Sequence, residues 1–147
     1  CMAGTRIIVE ESVREEFLAK FHAYTDAHVM GDSRDGATTM SALIHPVHVE
    51  RVLGFIDRAR AAGDTIVRGG KRWKDGANWI EPTLILPKSN DSEVVQNEVF
   101  GPVLTFQTFR DEAQGVALAN STAFGLSGMV YTGSAERAER VGRAVRG

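Results

Sequence analysis

The sequence has 147 residues, 43% hydrophobic and 24% charged, the balance of a soluble globular domain that can bury a core of its own. A formal charge of −2 gives no electrostatic basis for binding nucleic acid or an anionic membrane, and no apolar run reaches membrane-spanning length. The single cysteine, Cys1, excludes an intramolecular disulfide, and with no signal peptide opening the chain the expected setting is the cytoplasm.

Residues 5–10 read as an apolar strand. Ser12, Val13, Arg14 and Glu15 have the form of a capping box, and Val13, Phe17, Phe21, Tyr24 and His28 follow at helical spacing, predicting an amphipathic helix over 13–29. The cluster from Gly31 to Gly36 breaks it, and a polar loop runs on to Ser41. Pro46 opens a second helix whose inward face is Val49, Val52, Leu53, Ile56 and Ala59, with Phe55 at its margin and Gly63 at its end. Residues 65–68 form a short strand, and a turn-rich excursion carrying Trp73 follows. The run 79–86 then resumes as strand, where Pro82 predicts an edge or irregular one. Asn90, Asp91 and Ser92 can cap a helical turn at 93–97; beyond it come strand at 103–109, helix at 111–119, strand at 127–131, and a last helix capped by Ser134 and ending at Arg146. Such alternation predicts an α/β fold, a largely parallel sheet with crossover helices.

The stretch Asn97, Glu98, Val99, Phe100, Gly101, Pro102, Val103 sets an acid and an aromatic just before a backbone break. Gly101 permits positive φ or close backbone approach, and Pro102 removes a donor, so the helical turn stops and a strand begins on fixed backbone. A carboxylate there can accept two hydroxyl hydrogen bonds from a sugar, and the neighbouring ring can cover a flat heterocycle. The same pattern also suits a surface acid and a core phenylalanine at an ordinary turn. In the run from Cys1 to Arg6, the one thiol stands beside the small residues Ala3 and Gly4, with the permanent charge of Arg6 nearby. Such a thiol becomes a nucleophile when cations, amides or a base lower its pKa, and otherwise serves as a small buried hydrophobe. The stretch 120–126 ends a helix, with Asn120 a C-cap candidate and Gly125 a turn former before a strand. His45 and His48 have no carboxylate at a ligand spacing, so no metal site is expected. No phosphate-binding glycine loop occurs.

Together, Cys1 with Ala3-Gly4-Thr5-Arg6, then Glu98-Val99-Phe100-Gly101-Pro102-Val103, then Asn120 with Phe124-Gly125-Leu126, in this order and spacing, resemble the aldehyde dehydrogenase superfamily over essentially the whole chain. The resemblance implies that residues 1–147 are a partial catalytic domain, beginning at the nucleophile, of an NAD- or NADP-dependent enzyme that acts on a small aldehyde and assembles as a homo-oligomer. Cys1 would attack the aldehyde to give a thiohemiacetal, which passes hydride to nicotinamide and leaves a thioester for hydrolysis. Its backbone amide would help form the oxyanion hole. Glu98 would hold the nicotinamide ribose hydroxyls, Phe100 would pack against the nicotinamide side, and Arg51 and His48 would approach the cofactor from the other side. The family more often has Gln at the position of His48 and Tyr at that of Phe124. Its nucleotide-binding domain, general-base Glu and oxyanion Asn lie upstream of the cysteine, and a closing segment lies downstream. The 147-residue chain alone is therefore expected to be inactive. Two other readings compete: a non-catalytic binding or assembly module on the same fold, and a cofactor-free cysteine hydrolase. Against the hydrolase, no histidine stands in an obvious base position, and Glu98 and Phe100 would have no task.

Overall fold

The computed structural model describes residues 3–74 and 78–146. Four short runs rich in β-branched and aromatic residues become the strands β1 (Arg6–Glu10), β2 (Thr65–Arg68), β3 (Thr83–Leu86) and β4 (Val103–Phe109). They join in one sheet in the order β1-β4-β3-β2. β1 and β3 both pair parallel to β4, and β2 adds an antiparallel edge to β3. The expected largely parallel sheet is thus present, with an antiparallel margin set by its connection. Gly69 and Gly70, at φ 65° and 81°, turn the chain back after β2, and a Cβ on Gly69 would lie 2.4 Å from the Pro82 carbonyl oxygen. That return reverses the direction of the strand that follows.

The helices are α1 (Arg14–Asp26), α2 (Pro46–Ala62), α3 (Glu93–Gln96), α4 (Glu112–Ala119) and α5 (Ala135–Ala144). α2 covers one face of the sheet. Val49, Val52, Phe55, Ile56 and Ala59 are buried there with Ile80, Ile85, Val94, Val99 and Val103, while Leu53 is only half-buried. Phe55 and Leu53 have thus exchanged the places expected of them. α1 covers the other face, where Phe17, Leu18 and Phe21 pack on Val9, Leu84 and Phe106. β4 serves both layers through its period of two, Val103 facing α2 and Leu104 and Phe106 facing α1.

Three expectations need correction. The capping box at Ser12 does not form: the Ser12 hydroxyl donates to Glu10 Oε1 at 3.0 Å, a 3₁₀ turn spans Glu11–Val13, and α1 ends at Asp26 with Tyr24 72% exposed. The run 79–86 enters the ladder only at Thr83; Ile80 makes an isolated bridge to Arg72, and β3 lies between β4 and β2 rather than at an edge. Pro82 sits just ahead of the paired residues, so its missing donor falls outside the ladder. Residues 127–131 are not a strand. Their apolar pattern is that of a strand, but pairing needs a neighbouring backbone, and they find no ladder partner among the described residues.

Candidate functional site

α2 begins with His45 in extended backbone as its N-cap, Nδ1 accepting from the Val47 amide at 3.2 Å, and with Pro46 pre-setting the first turn. This fixes the rotation of the helix, so that His48, Arg51, Phe55 and Arg58 fall on one stripe along it. Opposite that stripe lies the segment 93–100. Arg58 grips the Glu93 carboxylate with two bonds of 2.8 and 3.1 Å, and the Glu93 hydrogen bond holds the guanidinium above its ordinary pKa. Arg51 donates through Nη2 to the Glu98 carbonyl at 2.8 Å and through Nη1 to the Val99 carbonyl. His48 donates through Nε2 to the Phe100 carbonyl at 2.5 Å, and its ring meets the Phe100 ring edge-on with centroids 6.1 Å apart. Between these contacts, the Phe55 ring lies under both guanidiniums, at 5.0 Å from Arg51 and 4.8 Å from Arg58.

Three successive carbonyls are therefore held from one helix. Asn97 leaves α3 in extended backbone, its side chain donating to the Glu93 carbonyl at 3.2 Å. Val99 then inserts into the core at 7% exposure, which turns Glu98 and Phe100 outward. Phe100 adopts φ 59°, the left-handed region that Cβ disfavours. Gly101 makes the close approach: a Cβ there would lie 2.8 and 3.0 Å from the two Val52 methyls. The positive φ thus falls on Phe100, and Gly101 supplies room. The Phe100 ring is 56% exposed, and the exposed Glu98 carboxylate makes no hydrogen bond or ion pair among the described residues. An acid and a ring left open to solvent on clamped backbone can receive a hydroxyl-bearing, planar ligand.

Cys1, the expected nucleophile, lies outside the described residues. Its neighbours in sequence enter β1, where the Thr5 carbonyl accepts from the Thr105 amide at 3.0 Å and Arg6 pairs with Thr105. In the adjacent pair Thr83 stands beside Val103, so β1, β4 and β3 begin at one edge of the sheet, the edge that Phe100 enters. The residues next to Cys1 and the outward pair Glu98 and Phe100 thus share one end of the strands. Met129 reaches this end as well, its Cε 3.4 Å from where a Cβ on Gly4 would stand. Nothing in the sequence pattern announced that contact.

Arg6 works elsewhere. It donates to the carbonyls of Leu118 at 2.8 Å and Ala119 at 3.3 Å, closing the C-terminus of α4, and burial pushes its pKa down from the usual arginine value. Asn120 caps α4 as expected and also donates to the Ala144 carbonyl at 2.8 Å, while Phe124 is 56% exposed. His45 and His48 are both engaged with backbone, and no group of three or more His, Cys, Asp or Glu able to hold a metal occurs among the described residues. No helix among them is long and apolar enough to cross a membrane. A groove of about 350 Å³ opens at the carboxyl ends of β3 and β4 beside Arg14, Lys88, Asn90 and Gln107, far along the strands from Glu98 and Phe100.

Residues 1–147 match the profile of the aldehyde dehydrogenase family. An aldehyde dehydrogenase of Emericella nidulans is 32% identical over 146 residues, covering 99% of this chain and 29% of that protein. A betaine aldehyde dehydrogenase of Cereibacter sphaeroides is 37% identical over 141 residues, covering 96% of this chain and 29% of that protein. The crystal structure of a Staphylococcus aureus betaine aldehyde dehydrogenase in complex with NAD+ superposes with a TM-score of 0.94 at 33% identity, covering 99% of this chain and 30% of that one. The chain thus spans under a third of the length of these relatives. With the match running over every residue, and with the outward acid and ring at the strand edge where β1 begins, the chain belongs to the aldehyde dehydrogenase family.

Proposed function

We infer that this chain is part of the catalytic domain of a protein that oxidises an aldehyde to a carboxylic acid with NAD or NADP. The observation that carries the reading is the outward pair Glu98 and Phe100, presented on clamped backbone at the sheet edge where residues 3–5 lead into β1. A dinucleotide fits the residues present. The Glu98 carboxylate, without a partner among the described residues, can accept hydrogen bonds from both hydroxyls of a ribose, the exposed Phe100 ring offers a shelf for a planar base, and Arg51 and His48 complete the cofactor-binding set from α2. When bound, the dinucleotide supplies the hydride acceptor.

The remaining chemistry belongs to the chain. Cys1, as thiolate, would hold the substrate carbon covalently, first as a thiohemiacetal and then as a thioester that water hydrolyses, so one hard oxidation becomes two easier steps. Its backbone amide would stabilise the oxyanion. Glu98 and Phe100 restrict the rotation of what they hold, which is how a positioned acid and ring promote reaction. A homo-oligomeric cytoplasmic protein is the setting that fits this reading, and the 147-residue chain by itself is expected to be inactive because it spans so little of its relatives.

The test is single-turnover hydride transfer in the full-length protein. Glu98→Gln keeps the shape but weakens a charge-assisted pair of hydrogen bonds, so the step should slow by about 10- to 100-fold, equivalent to about 1–3 kcal/mol, with aldehyde affinity little changed. Cys1→Ala should abolish turnover. An unchanged transfer rate in Glu98→Gln refutes the ribose role, and full activity in Cys1→Ala refutes the nucleophile.

A further inference from the structure

β3 stops at Leu86, while β4 runs on to Phe109 with β1 still paired to it, so Gln107 and Thr108 have a strand on one side only. The groove of about 350 Å³ lies in that gap. It is also the place where the connections part. The chain leaving β1 passes to α1 on one face, and the chain leaving β3 passes to α3, whose Val94 is buried with α2 on the other. Because β1, β4 and β3 are parallel, both departures occur at the same end of the sheet, with β4 between them. Connections that diverge in this way open a crevice at the carboxyl ends of a parallel sheet, and such crevices are where open α/β sheets take ligands. Glu98 and Phe100 lie at the opposite end, roughly 15 Å away by the rise of β4.

The wall of the groove is held in place. The Lys88 amide donates to Oδ1 of the buried Asp64 at 2.7 Å, and the Asn90 carbonyl accepts from Gln96 Nε2 at 2.7 Å. Its hydrogen-bonding capacity is one-sided. Asn90 Oδ1 accepts from Gln107 Nε2 at 3.3 Å and from the Ser121 hydroxyl at 3.0 Å, Gln107 Oε1 accepts from Arg6 at 3.4 Å, and Gln114 Oε1 accepts from the Arg110 amide at 2.8 Å. The acceptors are thus spent within the chain. The donors are not: Asn90 Nδ2, Gln114 Nε2 and the Lys88 ammonium make no hydrogen bond or ion pair among the described residues. Arg14 adds a second cation, paired with Glu15, and no Asp or Glu lines the groove. Leu86, Phe106 and Leu118 supply its apolar part.

We propose that this groove is a second ligand site, which takes a small organic anion with its phosphate or carboxylate head among Lys88, Asn90 and Gln114 and its apolar body against Leu86 and Leu118. Spare donors and a cation that faces no acid match a charged group rich in acceptors and disfavour a cationic guest. None of these residues belongs to the set built around Glu98 and Phe100, so the two readings stand or fall separately.

The test is titration calorimetry of the full-length protein with phenyl phosphate, benzoate and inorganic phosphate, with NAD+ saturating and Cys1 alkylated by iodoacetamide to close the sites described above. At least one organic anion should bind with a dissociation constant of about 1 mM or tighter, and inorganic phosphate about tenfold more weakly than the tighter of the two. Which organic anion binds identifies the head group. Lys88→Glu and Gln114→Glu should each weaken that binding by about tenfold or more, with the melting temperature in the absence of anion unchanged. Gln114→Glu retains the oxygen that accepts from the Arg110 amide, so it removes the donor and leaves the turn intact. Lys88→Arg, which keeps the charge, should bind about as wild type does. Binding of neither organic anion overturns the proposal, as does binding that neither Glu variant weakens. Inorganic phosphate that binds as tightly as phenyl phosphate overturns it too, because the apolar part of the groove would then play no role. Failure of NAD+ to bind is a separate result, which bears on Glu98 and leaves the groove untouched.

Discussion

Gly101 earns its place by volume rather than by dihedral freedom. A methyl group added there meets both methyls of Val52, a residue with no exposed surface on the inner face of α2, at 2.8 and 3.0 Å. Neither partner has room to yield, so Gly101→Ala is expected to destabilise the fold by about 1–3 kcal/mol, the range of overpacked cores. Val52→Ala removes both clashing methyls and is itself destabilising through the space it leaves. Their combination should recover part of the loss, a coupling of about 0.5–3 kcal/mol in urea unfolding. Additive losses would show that the crowding at Gly101 lies elsewhere. The sequence announced that something special happens at Gly101 and Pro102, and offered positive φ or close approach. It could not choose, because the choice depends on Val52, far away in the chain and brought opposite only by the docking of α2. The acid and ring were legible as a pair for the reverse reason: their relation to each other and to the break is local.

α5 shows what holds an element that buries little. None of its residues is buried, and it rests on α4 through polar contacts: Arg140 grips Glu112 at 2.7 and 2.8 Å, and Asn120 takes the Arg146 amide at 2.8 Å as well as donating to the Ala144 carbonyl. The Arg140 hydrogen bond holds the Glu112 carboxyl below its ordinary pKa, with Arg137 adding to the attraction. A depressed carboxyl stabilises the docked form above its unfolded pKa, and that contribution is lost as pH falls through the folded value. Amide protection of α5 should therefore drop as pH is lowered below the ordinary carboxylate range, and added salt should mimic part of the effect. Glu112→Gln should flatten that pH dependence; an unaltered profile would place the linkage on other groups. Elements of this kind separate what sequence tells from what it withholds. α2 was legible end to end because Pro46, Gly63 and the spacing of Val49, Val52 and Ile56 are local signals with one solution. Residues 127–131 carried an equally good strand pattern and formed none, since a strand is a relation between two segments and only one of them is visible in its own pattern.

At the scale of the whole molecule, the sheet is covered by α2 on one face and α1 on the other, yet a run of apolar side chains remains outside both layers. Leu126, Met129 and Tyr131 are 69%, 60% and 87% exposed, and Phe124 beside them 56%. Their backbone is neither helix nor strand, and it makes no ladder among the described residues. Exposed, apolar and unpaired backbone can template pairing with another chain, and within this run Ser127 is the one small polar side chain. Expressed alone, the 147-residue chain should therefore bind a hydrophobic dye and sediment as associated species at micromolar concentration. The substitutions Leu126→Lys and Met129→Lys would place charges on that run without touching either core cluster, as neither residue belongs to one. Together they should raise the monomer fraction and lower dye binding while leaving the unfolding transition of the sheet where it was, since surface changes away from packed groups move stability by no more than about 0.5 kcal/mol. Sedimentation velocity across a dilution series distinguishes the outcomes: if the double variant associates as strongly as the parent chain, the contact between copies runs through another surface, with the open edges of β1 and β2 the next candidates to test by the same substitution.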